Sequence, residues 1–447
     1  MSKEIEPGRL QSLGYVAKTQ EEVTETLHFI ANYFNSKGHR KNLEAFQVLR
    51  YIGPGILVTV GFIDPGNWAT NMAAGADYGY KLLWMITLST VMLIWLQHNA
   101  AHLGIVTGLC LSEAATIYLR PLFSRSLLFS AVAAAAATAM AEIIGGAIAL
   151  QLLFHLPVKI GATITGFFCG WLLWSNSYKK MEKIIIGFVS MIGLSFLYEI
   201  SLVNIDWPQA LTSWLLPSVP EGSIGVIMGV MGSMVMPHNL FLHSEVIQSR
   251  QWHLENESAI KKQLDFEFLD TLFSMLLGWA INSAMILVAA AVFFTNHIHV
   301  TELQQAQEML KPVLGSSAAV VFAVALLFSG ICSTTTAGMA GGSIVAGLFK
   351  EPYDIKDRHS WWGVLLTYGL AVITILCIND PFQGLLYSQI ALSIQLPWTI
   401  FLQIRLTSSK TVMGKYANSK FQQIILWTVG IIVAVLNVIL VYDVFFS

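Results

Sequence analysis

The feature that most constrains this chain is Asp64-Pro65-Gly66-Asn67, which interrupts a long apolar stretch between Tyr51–Ile63 and Trp68–Tyr80. Neither flank reaches the ~20 residues a helix needs to cross a bilayer. Proline, glycine and a carboxylate together break what would otherwise be one spanning helix. Free backbone groups and charge at membrane depth are tolerated only where they line a cavity or bind something. A second interruption answers the first, because Ser233-Met234-Val235-Met236-Pro237-His238-Asn239 lies inside the apolar run Ser223–Ile247. Two broken helices in corresponding places predict inverted repeats facing each other at the midplane, with a substrate between them.

Composition supports a polytopic membrane protein: of 447 residues, 55% are hydrophobic and 12% charged. A net charge of -2 without basic clusters excludes a nucleic-acid surface. Cys110, Cys169, Cys332 and Cys377 lie in or beside apolar runs with no CxxC spacing, so buried thiols are expected, with neither a disulfide framework nor a zinc site. Residues 1–50 are polar and lack the pattern of a cleaved signal peptide. They read as a cytoplasmic tail, with a helical tendency over Glu21–Phe34.

Apolar runs follow at Tyr51–Tyr80 (broken), Leu82–Gly104, Leu127–Phe154, Ile160–Ser175, Ile184–Val203, Ser223–Ile247 (broken), Phe266–Phe294, Ser317–Phe349, Trp361–Ile378, Phe382–Leu402 and Phe421–Phe446. These predict an all-α fold of eleven transmembrane helices. Lysine and arginine in short loops collect on the cytoplasmic side. With the N-terminus inside, the outward loops carry only Lys81, Lys159 and Lys311 of 25 basic residues. The C-terminus is then outside. Helices 1–5 (about 51–203) and 6–10 (about 223–402) form repeats of opposite topology within one membrane domain, 51–446. The eleventh helix, 421–446, packs on the outside.

Asp64 and Asn67 are three residues apart, so both side-chain oxygens can enter one cavity. A carboxylate for charge and an amide oxygen for neutral coordination suit a divalent cation. The competing reading is that the two residues merely cap half-helices. Pro237 removes a helical hydrogen bond and frees the carbonyl of Ser233. That carbonyl and the Met236 thioether could join the set, the sulfur favouring Mn²⁺, Fe²⁺, Co²⁺ or Cd²⁺ over hard Mg²⁺ or Ca²⁺. Taken alone, a membrane methionine is ordinarily packing, and this chain has 16. Glu142, His238, His243 and Gln389 are further polar groups in apolar surroundings. Glu142 and a histidine could pass protons or form a pair holding helices 3 and 6 together. His98 and His102 read as interfacial and structural. Glu199, Glu245 and Asp270 fall near helix ends, where water is close, and are assigned no role.

GFIDPGNWATNMAAGADYGY and GSMVMPHNLFLHS resemble the helix 1 and helix 6 signatures of the Nramp (natural resistance-associated macrophage protein) family of divalent metal transporters. MAEIIGGAIAL is similar to that family's helix 3 and LLYSQIALSIQLPW to its helix 10, so the resemblance covers essentially the whole membrane domain. It implies a LeuT-like fold in a divergent bacterial-type member, and import of Mn²⁺, Fe²⁺ and similar ions by alternating access. It also implies metal ligation by Asp64, Asn67, Met236 and the carbonyl of Ser233, where most members have alanine. Gln389 would approach the ion in closed states, and His238 and Glu142 would be associated with proton movement.

Departures from the family pattern bear on coupling. The helix 3 aspartate expected three residues before Glu142 is Ala139, the arginines expected before helix 9 are missing from the segment Trp361–Tyr368, and the helix 8 pattern SGQNST is Ser329-Gly330-Ile331-Cys332-Ser333-Thr334. Proton cotransport is therefore expected to be weak or absent. No nucleotide-binding motif occurs, so the expected energy source is an ion gradient or the membrane potential, the latter favouring inward cation movement by ~2.3 kcal/mol per charge per 100 mV. No cofactor beyond the transported ion, no obligate protein partner and no enzymatic activity are expected. The alternatives are a Mg²⁺ transporter of the same family, towards which Ala139 and Tyr368 point, and a sodium-coupled amino-acid transporter of the same architecture. Asp64 argues against the second, because it occupies the break where a substrate carboxylate would dock.

Overall fold

The computed structural model describes residues 54–176, 178–248, 257–300, 303, 315–378 and 381–446. The N-terminal tail and its expected helical segment lie outside the described residues, as does Gly53. Residues Ile52–Ser447 form one unit.

The first interrupted run becomes α1 (Pro54–Thr59), a 3-10 turn (Val60–Phe62) and α2 (Pro65–Tyr78). A turn at Gly79, whose φ of 59° favours glycine, leads to α3 (Leu83–Thr107). A short α4 (Leu111–Tyr118) precedes α5 (Pro121–Phe154), α6 (Val158–Ser175) and α7 (Tyr178–Leu202). The amphipathic α8 (Trp207–Leu215) then leads to α9 (Ile224–Met234) and α10 (Pro237–Gln248), the two halves of the second interrupted run. After them come α11 (Glu257–Val292), α12 (Ser316–Leu348), α13 (Arg358–Cys377), α14 (Pro381–Thr407), the single turn α15 (Lys410–Met413) and α16 (Lys420–Phe446).

Every apolar run of the sequence is helical, and no strand occurs among the described residues. Nine helical stretches among them are long and apolar enough to span a membrane; α2 and α3 count there as one, and α14 is not included. The sequence reading missed α4, α8 and α15, which are too short to carry a membrane-length signal. It also started α5 and α11 late, because both helices continue through polar turns beyond the apolar run.

Burial is inverted relative to a water-soluble protein. Phe167, Trp171, Leu197, Ile373 and Val438 are exposed on α6, α7, α13 and α16, whereas Asp64, Asn67, Glu142, His243 and Thr336 are fully enclosed. Such a surface matches lipid, and the polar groups it encloses line the interior of the bundle.

The central pair is α5 and α12, which make the most extensive contact between any two elements. Their approach depends on absent side chains: a Cβ on Gly330 would lie 2.6 Å from the Gly146 nitrogen and 2.8 Å from its Cα. Small residues allow such close backbone contact and hence dispersion attraction between helices. At Gly145, one residue earlier, a Cβ would meet the Pro65 ring at 2.2 Å, so α2 begins seated in a notch of α5.

Gly330→Ala is expected to destabilise the protein by about 1–3 kcal/mol, the cost of overpacking against backbone that cannot retreat. Gly187→Ala, where nothing lies within 4 Å, is the control and should leave stability unchanged. Thermal-challenge elution profiles of the two variants in detergent measure the difference.

Candidate functional site

Two helix interruptions meet in the interior. Asp64 caps α2 with extended backbone (φ −77°, ψ 161°), and its Oδ1 accepts the Asn67 backbone N–H at 3.0 Å. Pro65 occupies the first helical position, where its missing N–H costs nothing. The capping reading of Asp64 is therefore correct for one oxygen only. Its Oδ2 is buried and has no hydrogen-bond partner, as is the Oδ1 of Asn67.

The unwound backbone is satisfied by side chains from other helices. Asn282 of α11 donates to the Phe62 carbonyl at 2.6 Å, and the Trp68 indole donates to the Ile63 carbonyl at 3.1 Å. The Ser329 hydroxyl of α12 also donates to that Ile63 carbonyl. Asn282 in turn accepts from Asn71 Nδ2 at 2.6 Å. Each of these bonds meets a requirement that a break at membrane depth imposes.

Across the site, α9 ends at Met234 and α10 begins at Pro237. Asn67 Nδ2 lies 3.9 Å from the Met234 sulfur, and the Thr70 and Ser233 hydroxyls are 3.1 Å apart. The predicted meeting of the two breaks is thus present, with Met234 as a contact that the sequence did not single out. Met236 is 1% exposed yet belongs to none of the apolar clusters, unlike Met234 and Val235 beside it. The side chain of Gln389 lies outside the described ones; its residue falls within α14.

Glu142 of α5 is enclosed, and its Oε2 accepts the Ser333 hydroxyl at 2.5 Å. Its other oxygen has no partner among protein donors, and the Asp64 carboxyl is a near neighbour. Two neighbouring carboxyl groups at this depth do not both ionise readily unless a cation sits beside them.

The expected direct pairing of Glu142 with a histidine does not form. His238 Nδ1 lies 3.2 Å from the Thr138 hydroxyl, one helical turn from Glu142 on α5. His243 Nδ1 lies 2.9 Å from Gln97 Oε1 on α3. Tyr368, from the segment where arginines were expected, donates its hydroxyl to the Thr334 carbonyl at 2.8 Å and fills the space that Gly338 leaves. Ala139 is fully buried.

Three carboxylates placed near water by the sequence are in fact enclosed. Asp270 accepts the Gly55 N–H at 2.8 Å, anchoring α1 to α11. Glu245 accepts the Ser343 hydroxyl at 2.8 Å and the Tyr353 N–H at 3.0 Å. Glu199 has both oxygens buried and unpartnered. Asp270 is well inside α11 because that helix begins at Glu257, before the apolar run, whereas Glu199 and Glu245 lie near the ends of α7 and α10 and are enclosed there by neighbouring elements. His102 is likewise buried, while His98 pairs with Glu267 at 2.5 Å. Cys110, Cys169 and Cys332 are buried as expected, but Cys377 is exposed.

Asp64, Asn67, Ser233 and Met236 are each no more than 1% exposed. The first break offers an unpartnered carboxylate oxygen and an unpartnered amide oxygen, with the Met234 sulfur beside Asn67, donors of kinds that can hold a dehydrated cation. Among the described residues no group of three or more histidine, cysteine, aspartate or glutamate side chains is placed to hold a metal ion.

Comparison with known proteins identifies the lineage. The family described as natural resistance-associated macrophage protein-like matches residues 55–443. The divalent metal cation transporter MntH of Caldanaerobacter subterraneus subsp. tengcongensis is 35% identical over 411 residues, covering 90% of this chain and 96% of the relative. Among solved structures, the manganese transporter of Eremococcus coleocola superposes with a TM-score of 0.80 at 29% identity, covering 91% of this chain and 88% of that one. MhsT, solved in complex with L-phenylalanine, shares only the LeuT-like fold, with a TM-score of 0.60 at 13% identity over 88% of this chain and 98% of its own. A family match along nearly the full membrane-embedded length, joined to two interrupted helices that meet over unpartnered polar atoms, makes this chain a member of the Nramp family.

Proposed function

We propose that this chain imports divalent transition-metal ions, Mn²⁺ foremost and Fe²⁺, Co²⁺ and Cd²⁺ beside it, by alternating access across a cell membrane. Membership of the family makes it a multi-pass membrane metal transporter and not an enzyme. The choice of ion and the mechanism are our reading. The observation that carries it is the pair of buried, unpartnered oxygens, Asp64 Oδ2 and Asn67 Oδ1, at the break between α1 and α2. Leaving such groups unsatisfied costs about 1–3 kcal/mol each, which a bound cation offsets. A site with one carboxylate, one amide and sulfur binds more weakly than a dedicated structural centre. That suits an ion that must leave again, and cargo rather than a resident cofactor.

In this reading the ion sheds waters for Asp64, Asn67, Met236 and the Ser233 carbonyl, and Gln389 closes over it. Release inward follows when α1 moves away from α11, breaking the Gly55 to Asp270 bond. Taking α2 and α3 as separate passes and adding α14 gives eleven spans. The tail, residues 1–50, is then cytoplasmic, the repeats occupy about 51–203 and 223–402, and the C-terminal helix ends outside.

Proton coupling is proposed to be weak. Glu142, His238 and His243 are candidate proton carriers, but the hydrogen bonds of Glu142 and His238 run to Ser333 and Thr138 and do not join them. Ala139 and Tyr368 offer no exchangeable charge beyond them. A Mg²⁺ substrate is the second reading, favoured by those same two residues and opposed by the thioether of Met236.

Asp64→Ala and Asn67→Ala are each expected to weaken Mn²⁺ binding by at least about tenfold, ~1.4 kcal/mol, in calorimetry on purified protein. Met236→Ala should instead change selectivity, lowering uptake of Cd²⁺ and Mn²⁺ relative to Mg²⁺ and Ca²⁺. Mn²⁺ uptake into proteoliposomes loaded with a pH dye should proceed without internal acidification; acidification that tracks metal entry would refute weak coupling. Millimolar Mg²⁺ should leave micromolar Mn²⁺ uptake largely intact, and its abolition would favour the second reading.

A further inference from the structure

The Asn239 carboxamide on α10 is fully buried, and neither its Oδ1 nor its Nδ2 has a hydrogen-bond partner. An amide with both ends unsatisfied is rare in a packed interior, since nearly all buried polar atoms are partnered. The amide lies over Gly61, in the 3-10 turn that joins α1 to the first break. A Cβ at that position would stand 2.1 Å from Asn239 Nδ2 and 2.5 Å from Oδ1, so only glycine leaves room for it.

The sequence positions of this pair mirror those of the site. Gly61 precedes Asp64 by three residues, and Asn239 follows Met236 by three. On a helix that separation is one turn, about 5–6 Å between Cβ atoms. With the N-terminus inside, both steps lead inward. In sequence, the level of Asp64 and Met236 therefore has a second one next to it, where an unpartnered amide is covered by the backbone of the half-helix that would move.

We propose that Asn239 is a transfer ligand for the departing divalent cation, exposed when Gly61 withdraws with α1. This rests on the metal-import reading above. The amide oxygen is neutral, so it coordinates a cation without adding the charge that would hold it. As α1 leaves, Asn239 Oδ1 replaces one ligand of the upper site before water completes the shell. The barrier to release falls because the ion is never left with an open coordination position in a dry passage. Asn239 does not contribute to the closed site itself, where Gly61 covers it.

The test separates binding from turnover. Equilibrium Mn²⁺ binding to purified protein and initial Mn²⁺ uptake in proteoliposomes are measured for wild type, Asn239→Leu, Asn239→Ser and Asn239→Asp. Asn239→Leu and the smaller Asn239→Ser should keep Mn²⁺ affinity within about threefold while maximal uptake falls about tenfold, the rate factor for ~1.4 kcal/mol of barrier. Asn239→Asp keeps an oxygen at the same place but adds the charge that holds the ion, so it should bind Mn²⁺ at least as tightly as wild type and turn over no faster than Asn239→Leu.

Wild-type uptake in both Asn239→Leu and Asn239→Ser would overturn the proposal. So would a parallel loss of affinity and uptake, which places Asn239 in the primary site or in the packing, and so would wild-type uptake in Asn239→Asp. Unchanged Mn²⁺ binding in Asp64→Ala is a different failure, because it removes the import reading itself whatever Asn239 does.

Discussion

Backbone groups freed by a helix break cannot turn to water inside a bilayer, and the interior of this protein is arranged around meeting that demand. The Phe62 and Ile63 carbonyls are met by Asn282, Ser329 and Trp68, and the Asn67 N–H by Asp64. Three distinct elements thus supply donors to two consecutive peptide units. With these backbone groups satisfied, the atoms left over at the break are side-chain oxygens, Asp64 Oδ2 and Asn67 Oδ1. The division between a closed backbone and open side chains leaves the break free to take a ligand without loosening the fold.

Those donors have to be held at fixed distance, and the central helix pair does this. Gly146 and Gly330 bring α5 and α12 into backbone contact. Glu142 and Ser329, which face the first break from either helix, are thereby fixed relative to each other, and Ser333 links α12 back to Glu142. Close packing without intervening side chains resists shear, so conformational change is directed to elements held by fewer and more polar contacts. The short α1 is one of these: a hydrogen bond from Gly55 to Asp270 is its polar tie to α11.

Much of this was legible in the sequence because proline, glycine and aspartate inside an apolar run have few physical explanations. The two breaks, their meeting, and helices on all eleven apolar runs follow from that and from hydropathy. What failed to show was anything depending on how far a helix continues past its apolar run. Asp270 lies well inside α11 because that helix begins at Glu257, and Glu245 is covered by the backbone of Tyr353. Met234 was overlooked in favour of Met236, since sequence spacing does not say which way successive side chains leave an unwound segment. Asn239 stood in the quoted motif without a role, because its distinction is the lack of a partner, and only coordinates reveal that. The short α8 and α15 carry no signal of membrane length and were invisible for that reason.

The seat of Pro65 in the Gly145 notch has a mechanical consequence. With the first residue of α2 wedged against α5, α2 is pinned at its N-terminal end, so a tilt of α1 would turn about the break. From Pro54 to the break is a rod of roughly 14 Å at the helical rise per residue, so a tilt of about 30° carries its far end some ~7 Å. A change of torsion confined to two or three peptide units would thereby be magnified at Pro54, while the residues next to the pivot would scarcely shift.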